Sequence, residues 1–239
     1  MGAIVQLRGV NKDHHRGDER IHALVDVTHE FHSRELVSVM GPSGSGKSTL
    51  LHVISGIDCP DSGEVLVDGN LVGTGTEAEQ ARFRRCTIGY VFQFFNLLPN
   101  LTAWENVVVP RVLDGARAKQ HRGRAIELLD RMGMADRAKH YPAQLSGGEL
   151  QRVAIARAMV HDPKVLLADE PTGSLDEQSG QLVLDLLAEI AAAGTAIIMV
   201  THDPRAAEQA RRHLRLDRGH LSATGDLTPQ RMPNSVSYS

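Results

Sequence analysis

The sequence predicts an α/β fold, a mostly parallel β-sheet covered by helices, with an antiparallel β edge and a helical subdomain. Three observations predict it. After Pro142, short apolar runs alternate with segments of helical composition, as parallel strands joined by helical crossovers do. A glycine-rich stretch, Gly41 to Gly46, stands between an apolar run and a helical segment. Helix-period apolar residues (Ile126, Leu128, Leu129, Met132) recur among many charges in the middle of the chain.

In chain order, Ala3 to Val10 and His22 to Phe31 alternate apolar and polar residues in part, and read as two antiparallel strands separated by the polar stretch Asn11 to Arg20. Glu35 to Met40 reads as a strand and Ser48 to Ile57 as the helix after the glycine-rich loop. Gly63 to Asn70 reads as a hairpin strand ending in Asp-Gly, and Thr76 to Arg85 has helical composition. Residues 94–141 are assigned to the helical subdomain, broken at Pro110, Gly115 and Gly123. Gly147 to Met159 and Gln178 to Ala193 read as helices, and Val165 to Ala168 and Ala196 to Val200 as buried strands. One domain is expected over residues 1–239. Its core is residues 1–93 and 142–227, and its tail, 228–239, is rich in Pro, Asn and Ser and expected to be loosely ordered.

Composition narrows the function classes. The 239 residues suffice for one substantial domain and not for two full catalytic ones. Hydrophobic residues make up 41% and charged residues 23%, an ordinary globular balance. The formal net charge of -3, with no dense Lys/Arg block, argues against nucleic acid as a partner. The apolar run near Ala191 to Val200 is far shorter than the roughly 20 residues of a spanning helix, and the N-terminus lacks the pattern of a secretory signal, so a cytoplasmic location is expected. The two cysteines, Cys59 and Cys86, show no metal-site spacing, and a structural or incidental role is expected for both.

The chemistry lies in short motifs. Gly41-Pro42-Ser43-Gly44-Ser45-Gly46-Lys47-Ser48 fits G-x-x-x-x-G-K-[ST] between a strand and a helix, the phosphate loop of a P-loop NTPase core, and the nucleotide contacts are extended to Thr49. Its backbone N–H groups would turn in on phosphates, Lys47 would reach the outer phosphates, and the Ser48 hydroxyl would ligate Mg²⁺. Val165 to Ala168 ends in Asp169 and Glu170, and ligands of open α/β sheets bind at the carboxyl ends of strands. Asp169 is expected to hold hydrated Mg²⁺ and Glu170 to act as general base on the attacking water. His202, at the end of the next buried strand, is expected to hydrogen-bond the γ-phosphate.

Leu145-Ser146-Gly147-Gly148-Glu149-Leu150-Gln151-Arg152 resembles the signature of the ABC family, LSGGE followed by QR. With the phosphate loop, Gln93, the Asp-Glu pair, Gly173-Ser174-Leu175-Asp176 and His202, the resemblance runs in order over nearly the whole chain. It implies an ATP-binding and ATP-hydrolysing subunit that pairs head to tail with a second copy. Ser146, Gly147, Gly148 and Glu149 would act on the partner's ATP, and Ser174 to Asp176 would form the loop crossing between subunits. Gln93 would bind nucleotide and Mg²⁺ and link them to a separate transmembrane permease docked on the helical region, which places the chain peripherally on the inner face of the membrane. Within the family, GPSGSGKSTLLHVIS (Gly41 to Ser55), FQFFNLL (Phe92 to Leu98) and ADEPTG (Ala168 to Gly173) resemble the macrolide-exporter and lipoprotein-releasing type. The resemblance leaves open a membrane signalling or cell-division partner without transport, and a DNA-associated ABC ATPase. One departure stands out: the family usually places an aromatic ring near the start of the chain to stack on adenine, whereas no Tyr, Phe or Trp precedes Phe31 here; the corresponding position is His14, where His14 or His15 would stack the base with less surface, and a solvated loop role for His14 stays open.

Overall fold

The computed structural model describes residues 2–17 and 19–224; the expected tail, 228–239, lies outside the described residues. The chain enters with β1 (Ala3–Arg16) and β2 (Glu19–His32), an antiparallel hairpin. β3 (Leu36–Met40) passes through the glycine-rich loop into α1 (Lys47–Ser55). β4 (Ser62–Val67) and β5 (Asn70–Leu71) are joined by Asp68-Gly69, both at positive φ (50° and 74°), the conformation a two-residue hairpin favours. α2 (Glu77–Thr87), β6 (Ile88–Val91), α3 (Ala103–Leu113), α4 (Arg122–Arg131) and α5 (Gly147–Ala158) follow. β7 (Val165–Asp169), α6 (Glu177–Ala193), β8 (Ala196–Thr201), α7 (Pro204–Glu208), β9 (Arg212–Asp217) and β10 (His220–Ala223) complete the fold.

Two sheets result. The antiparallel one runs β2-β1-β4-β5; the other runs β10-β9-β3-β8-β7-β6 and is parallel from β9 to β6. Strand alternation builds the layers. Val165 and Leu167 of β7 and Ile198 and Val200 of β8 join Leu50, Leu51, Val53 and Ile54 of α1 in the core facing the antiparallel sheet. Leu166, Ala168, Ile197 and Met199 point the other way, into a second core with α3, α4, α5 and α6. α1 is thus sandwiched between the sheets. α5 packs on α3 and α4 as well as on α6 and β6, so residues 94–141 and the parallel sheet share it.

Register sets the site. Met40 pairs with Thr201, and Asp169 with Val200, so the chain leaves β3, β7 and β8 side by side at their carboxyl ends.

The first two strands are longer than their apolar pattern predicts, and within the stretch expected as a polar break, Asn11 to Arg16 lie in β1 and Glu19 and Arg20 in β2. Polar pairs take the place of apolar ones there. Arg20 Nε donates to Asp13 Oδ2 at 2.8 Å, and His22 Nδ1 lies 2.6 Å from Asp13 Oδ1. β6, β9, β10 and α7 had no counterpart in the sequence reading. β6 is four residues long and α7 five, while the alternation of β9 is carried by only two buried leucines, Leu214 and Leu216, among charged neighbours.

Candidate active site

Glycine geometry shapes the loop after β3. Gly46 caps α1 at φ 101°, and a Cβ there would stand 2.1 Å from the Ala23 carbonyl oxygen, so no other residue fits. Lys47 Nζ donates to the carbonyls of Gly41 (2.9 Å) and Pro42 (3.0 Å), folding its ammonium back over the loop that its own helix follows. The loop borders a cleft of about 590 Å³ that His14, Ile21, Ala23, Ser43, Gly44, Gly46, Lys47, Ser48, Thr49, Gln93, Asp169, Glu170 and His202 line. Gly41, Pro42 and Ser45 shape the loop without lining the cleft.

The two carboxylates behind the cleft stand in different settings. Burial pushes the Asp169 carboxyl above its usual range, with a hydrogen bond from Ser48 working against that rise. Glu170 has a left-handed backbone, φ 46°, rare for a residue with a side chain, and its N–H donates to Val200 O at 3.0 Å. Its Oε1 lies 2.8 Å from His202 Nδ1 and its Oε2 accepts from His202 N at 3.3 Å. Lys47, Ser48 and three strand-end groups thus surround one space with a cation, a hydroxyl, two carboxylates and an imidazole.

Gln93 reaches the cleft from the segment just after β6, and next to it the rings of Tyr90, in β6, and Phe92 stack with centroids 4.3 Å apart. Ser174 Oγ donates to the Gln93 carbonyl at 3.2 Å. Asp176 caps α6, accepting from Ser179 N at 2.9 Å, and that bond holds its carboxyl below the usual range.

Ser146, Gly147, Gly148, Glu149, Ser174 and Asp176 do not line the cleft of their own chain. Ser146 caps α5: its Oγ accepts from Glu149 N at 3.3 Å while Glu149 Oε2 accepts from Ser146 N at 2.8 Å. A Cβ on Gly148 would come within 2.7 Å of the Ser179 side chain, so the start of α5 sits tightly on the start of α6.

His14 Nε2 lies 3.2 Å from Thr49 Oγ1 at the mouth of the cleft. Directly across the hairpin is Ile21, which the sequence reading passed over; the register of β1 on β2 was the missing signal. Arg157 was missed as well. Its guanidinium holds the carbonyls of Phe95 (2.8 Å) and Asn96 (2.5 Å), two residues at positive φ that follow Gln93 and Phe94. Asn106, fully buried, does the same for the next segment, accepting from Leu98 N at 2.7 Å and donating to the carbonyls of Leu98, Leu101 and Thr102.

The sequence profile described as ABC transporter matches residues 24–173. The chain is 43% identical over 224 residues to the lipoprotein-releasing system ATP-binding protein LolD of Shewanella sp. (strain MR-4), covering 93% of this chain and 97% of that one. It is also 43% identical over 221 residues to the macrolide export ATP-binding/permease protein MacB of Photorhabdus laumondii, covering 92% of this chain and 34% of that one, so it spans about a third of that relative. The dimeric post-hydrolysis structure of the ATP-binding cassette MJ0796 bound to ADP and Pi matches with a TM-score of 0.82 at 40% identity, covering 92% of this chain and 98% of that one. The profile matches more than half of the chain and LolD is matched over nearly its whole length, so the chain belongs to the ABC transporter family as one of its ATP-binding cassettes.

Proposed function

We propose that this chain binds and hydrolyses ATP between two copies of itself and thereby drives a membrane permease. One observation carries the reading. The phosphate loop, Asp169, Glu170 and His202 converge in one cleft, while the signature helix start, built to face phosphate, lies outside the cleft of its own chain. A second copy turned head to tail would bring Ser146, Gly147 and Gly148 over the γ-phosphate, where a helix N-terminus offers N–H donors and positive potential. ADP would leave those groups without a partner, so closure would follow ATP and opening would follow hydrolysis.

Within the cleft, Lys47 would leave its two loop carbonyls for the outer phosphates. Glu170 would take a proton from the attacking water, and His202, hydrogen-bonded to Glu170, would contact the γ-phosphate. Ser48, Asp169 and Gln93 offer oxygen donors only, the set a small hard cation takes, so the residues fit Mg²⁺. Such an ion would neutralise charge on the β- and γ-phosphates. His14 and Ile21 together would form the floor for the adenine ring.

The same reading gives one ATP-binding domain, with residues 1–93 and 142–227 as its core and 94–141 as a helical subdomain that docks the permease. An open groove of about 290 Å³, lined in part by Ile57, Ile88, Phe92, Pro110 and Arg157, lies beside that region, and Phe94 is 69% exposed. Among the described residues no helix is long and apolar enough to cross a membrane. Attachment to the cytoplasmic face would come through the permease. LolD is named for a lipoprotein-releasing system and MacB for macrolide export, which supports a transport partner of that type.

Phosphate release by the purified chain tests the reading. Turnover of ATP that stops with a chelator and with Lys47→Ala is expected; turnover unaffected by Lys47→Ala would overturn the assignment of the cleft.

A further inference from the structure

Away from the cleft, three side chains with metal-binding atoms meet where α2 ends, α3 ends and α5 gives way to β7. They are Cys86, Asp114 and His161, and one ligand atom from each lies within 4.8 Å of the others. Cys86 Sγ is 3.9 Å from Asp114 Oδ2, and His161 Nε2 is 3.4 Å from the same oxygen. Donors held at about 2.0–2.3 Å by one tetrahedral ion stand roughly 3.3–3.6 Å apart, so the two spacings to Asp114 Oδ2 need only small side-chain shifts.

The histidine supplies an independent sign. Its side chain is 8% exposed, and Nε2 has no hydrogen-bond partner although Asp114 Oδ2 lies 3.4 Å away. The ring bonds the Pro110 carbonyl, which leaves Nε2 as the nitrogen with a free lone pair. An imidazole anchored to a backbone carbonyl on one side and open on the other is the posture of a metal ligand. The carboxylate is oriented too: Arg85 Nη2 lies 2.7 Å from Asp114 Oδ1, leaving Oδ2 to face the thiol and the imidazole.

We propose that Cys86, Asp114 and His161 form a binding site for one borderline-soft divalent metal ion of the zinc class, with a fourth position left to solvent. A thiolate, an imidazole and a carboxylate suit Zn²⁺ or Co²⁺ and not Mg²⁺, so the site is distinct in chemistry from the nucleotide cleft. His161, Arg85 and Pro110 also line the open groove beside Phe92, so the bound ion would cross-link three elements around that groove.

Cobalt titration of the metal-free, full-length chain is the test. One Co²⁺ per chain is expected, with a near-ultraviolet thiolate-to-cobalt band and intense tetrahedral visible bands that Zn²⁺ abolishes. Cys86→Ser should remove the thiolate band, and His161→Asn should weaken Co²⁺ affinity by at least about 100-fold. Cys59→Ser should change neither. Because His161 is buried, melting of each apo variant confirms the fold, and the exposed Cys86 gives the readout that does not depend on repacking. Absence of a thiolate band in the wild type, or a band that Cys86→Ser retains and Cys59→Ser loses, would overturn the site.

Discussion

His202 Nδ1 stands 2.8 Å from Glu170 Oε1, joining the ends of two neighbouring strands across the cleft. The left-handed backbone of Glu170 would relax if nothing held it, and the bonds to Val200 and His202 fix the carboxylate where it is. Glu170→Gln is expected to lower turnover on the order of 10²–10⁴-fold with ATP binding intact. His202→Ala, which frees the carboxylate without removing it, should cost less. Phosphate release at saturating ATP checks both, and near-normal turnover in Glu170→Gln would remove Glu170 from its role.

Asp169 carries a pH signature. Its carboxyl titrates above the usual value in the folded chain because burial disfavours the charge. The unfolded chain therefore loses this proton first as pH rises. The stabilising contribution of the neutral form is full below the unfolded value and is lost as pH climbs through the folded one. Asp169→Asn should then melt above the nucleotide-free wild type at neutral pH, by about 2–4 °C for each kcal/mol, and the gap should close in acid. A melting curve at each pH decides it; a gap that widens in acid would contradict the burial argument.

Arg157 ties two strained residues to α5. Replacing it with Ala frees the Phe95 and Asn96 carbonyls, and charge-assisted bonds of this kind are worth about 1.5–3 kcal/mol each. Denaturant unfolding should show a loss of that order. Lys should recover little, since one ammonium cannot fork between two carbonyls as a guanidinium does.

As the proposed floor for adenine, His14 with Ile21 would make a smaller platform than a tyrosine. His14→Tyr is expected to tighten ATP binding about 2–10-fold, from roughly 0.5–1.5 kcal/mol of added stacking. Competition between adenine and guanine nucleotides should show weak discrimination in the wild type and more in the variant. Strict adenine preference in the wild type would show that His14 is a bystander.

What the sequence made readable was local. Gly41 to Ser48 is one contiguous loop, and β7 and β8 are unbroken apolar runs that end on Asp169-Glu170 and Thr201-His202, so the cleft could be placed from strand ends alone. Register was out of reach, and with it the pairing of His14 with Ile21 and the bond between Glu170 and His202. Elements stabilised by neighbours rather than by their own pattern were also hidden: the polar end of the first hairpin, the four-residue β6, and β9 with its two buried leucines. Arg157 reads as an ordinary charge on a helix until its carbonyl partners are seen. Cys86 has no motif because its neighbours come from distant segments.

The central claim is that each ATP is enclosed by the phosphate loop of one chain and the Ser146 helix start of another. Light scattering of Glu170→Gln with ATP, alone and combined with Ser146→Asp, tests it most directly. Aspartate caps a helix as well as serine does, so α5 keeps its start while a negative charge replaces the hydroxyl facing phosphate. The account predicts that Glu170→Gln with ATP has twice the 26.0 kDa mass of the chain and that the double variant stays at the single mass. A double variant that dimerises on ATP as readily as Glu170→Gln alone would contradict it.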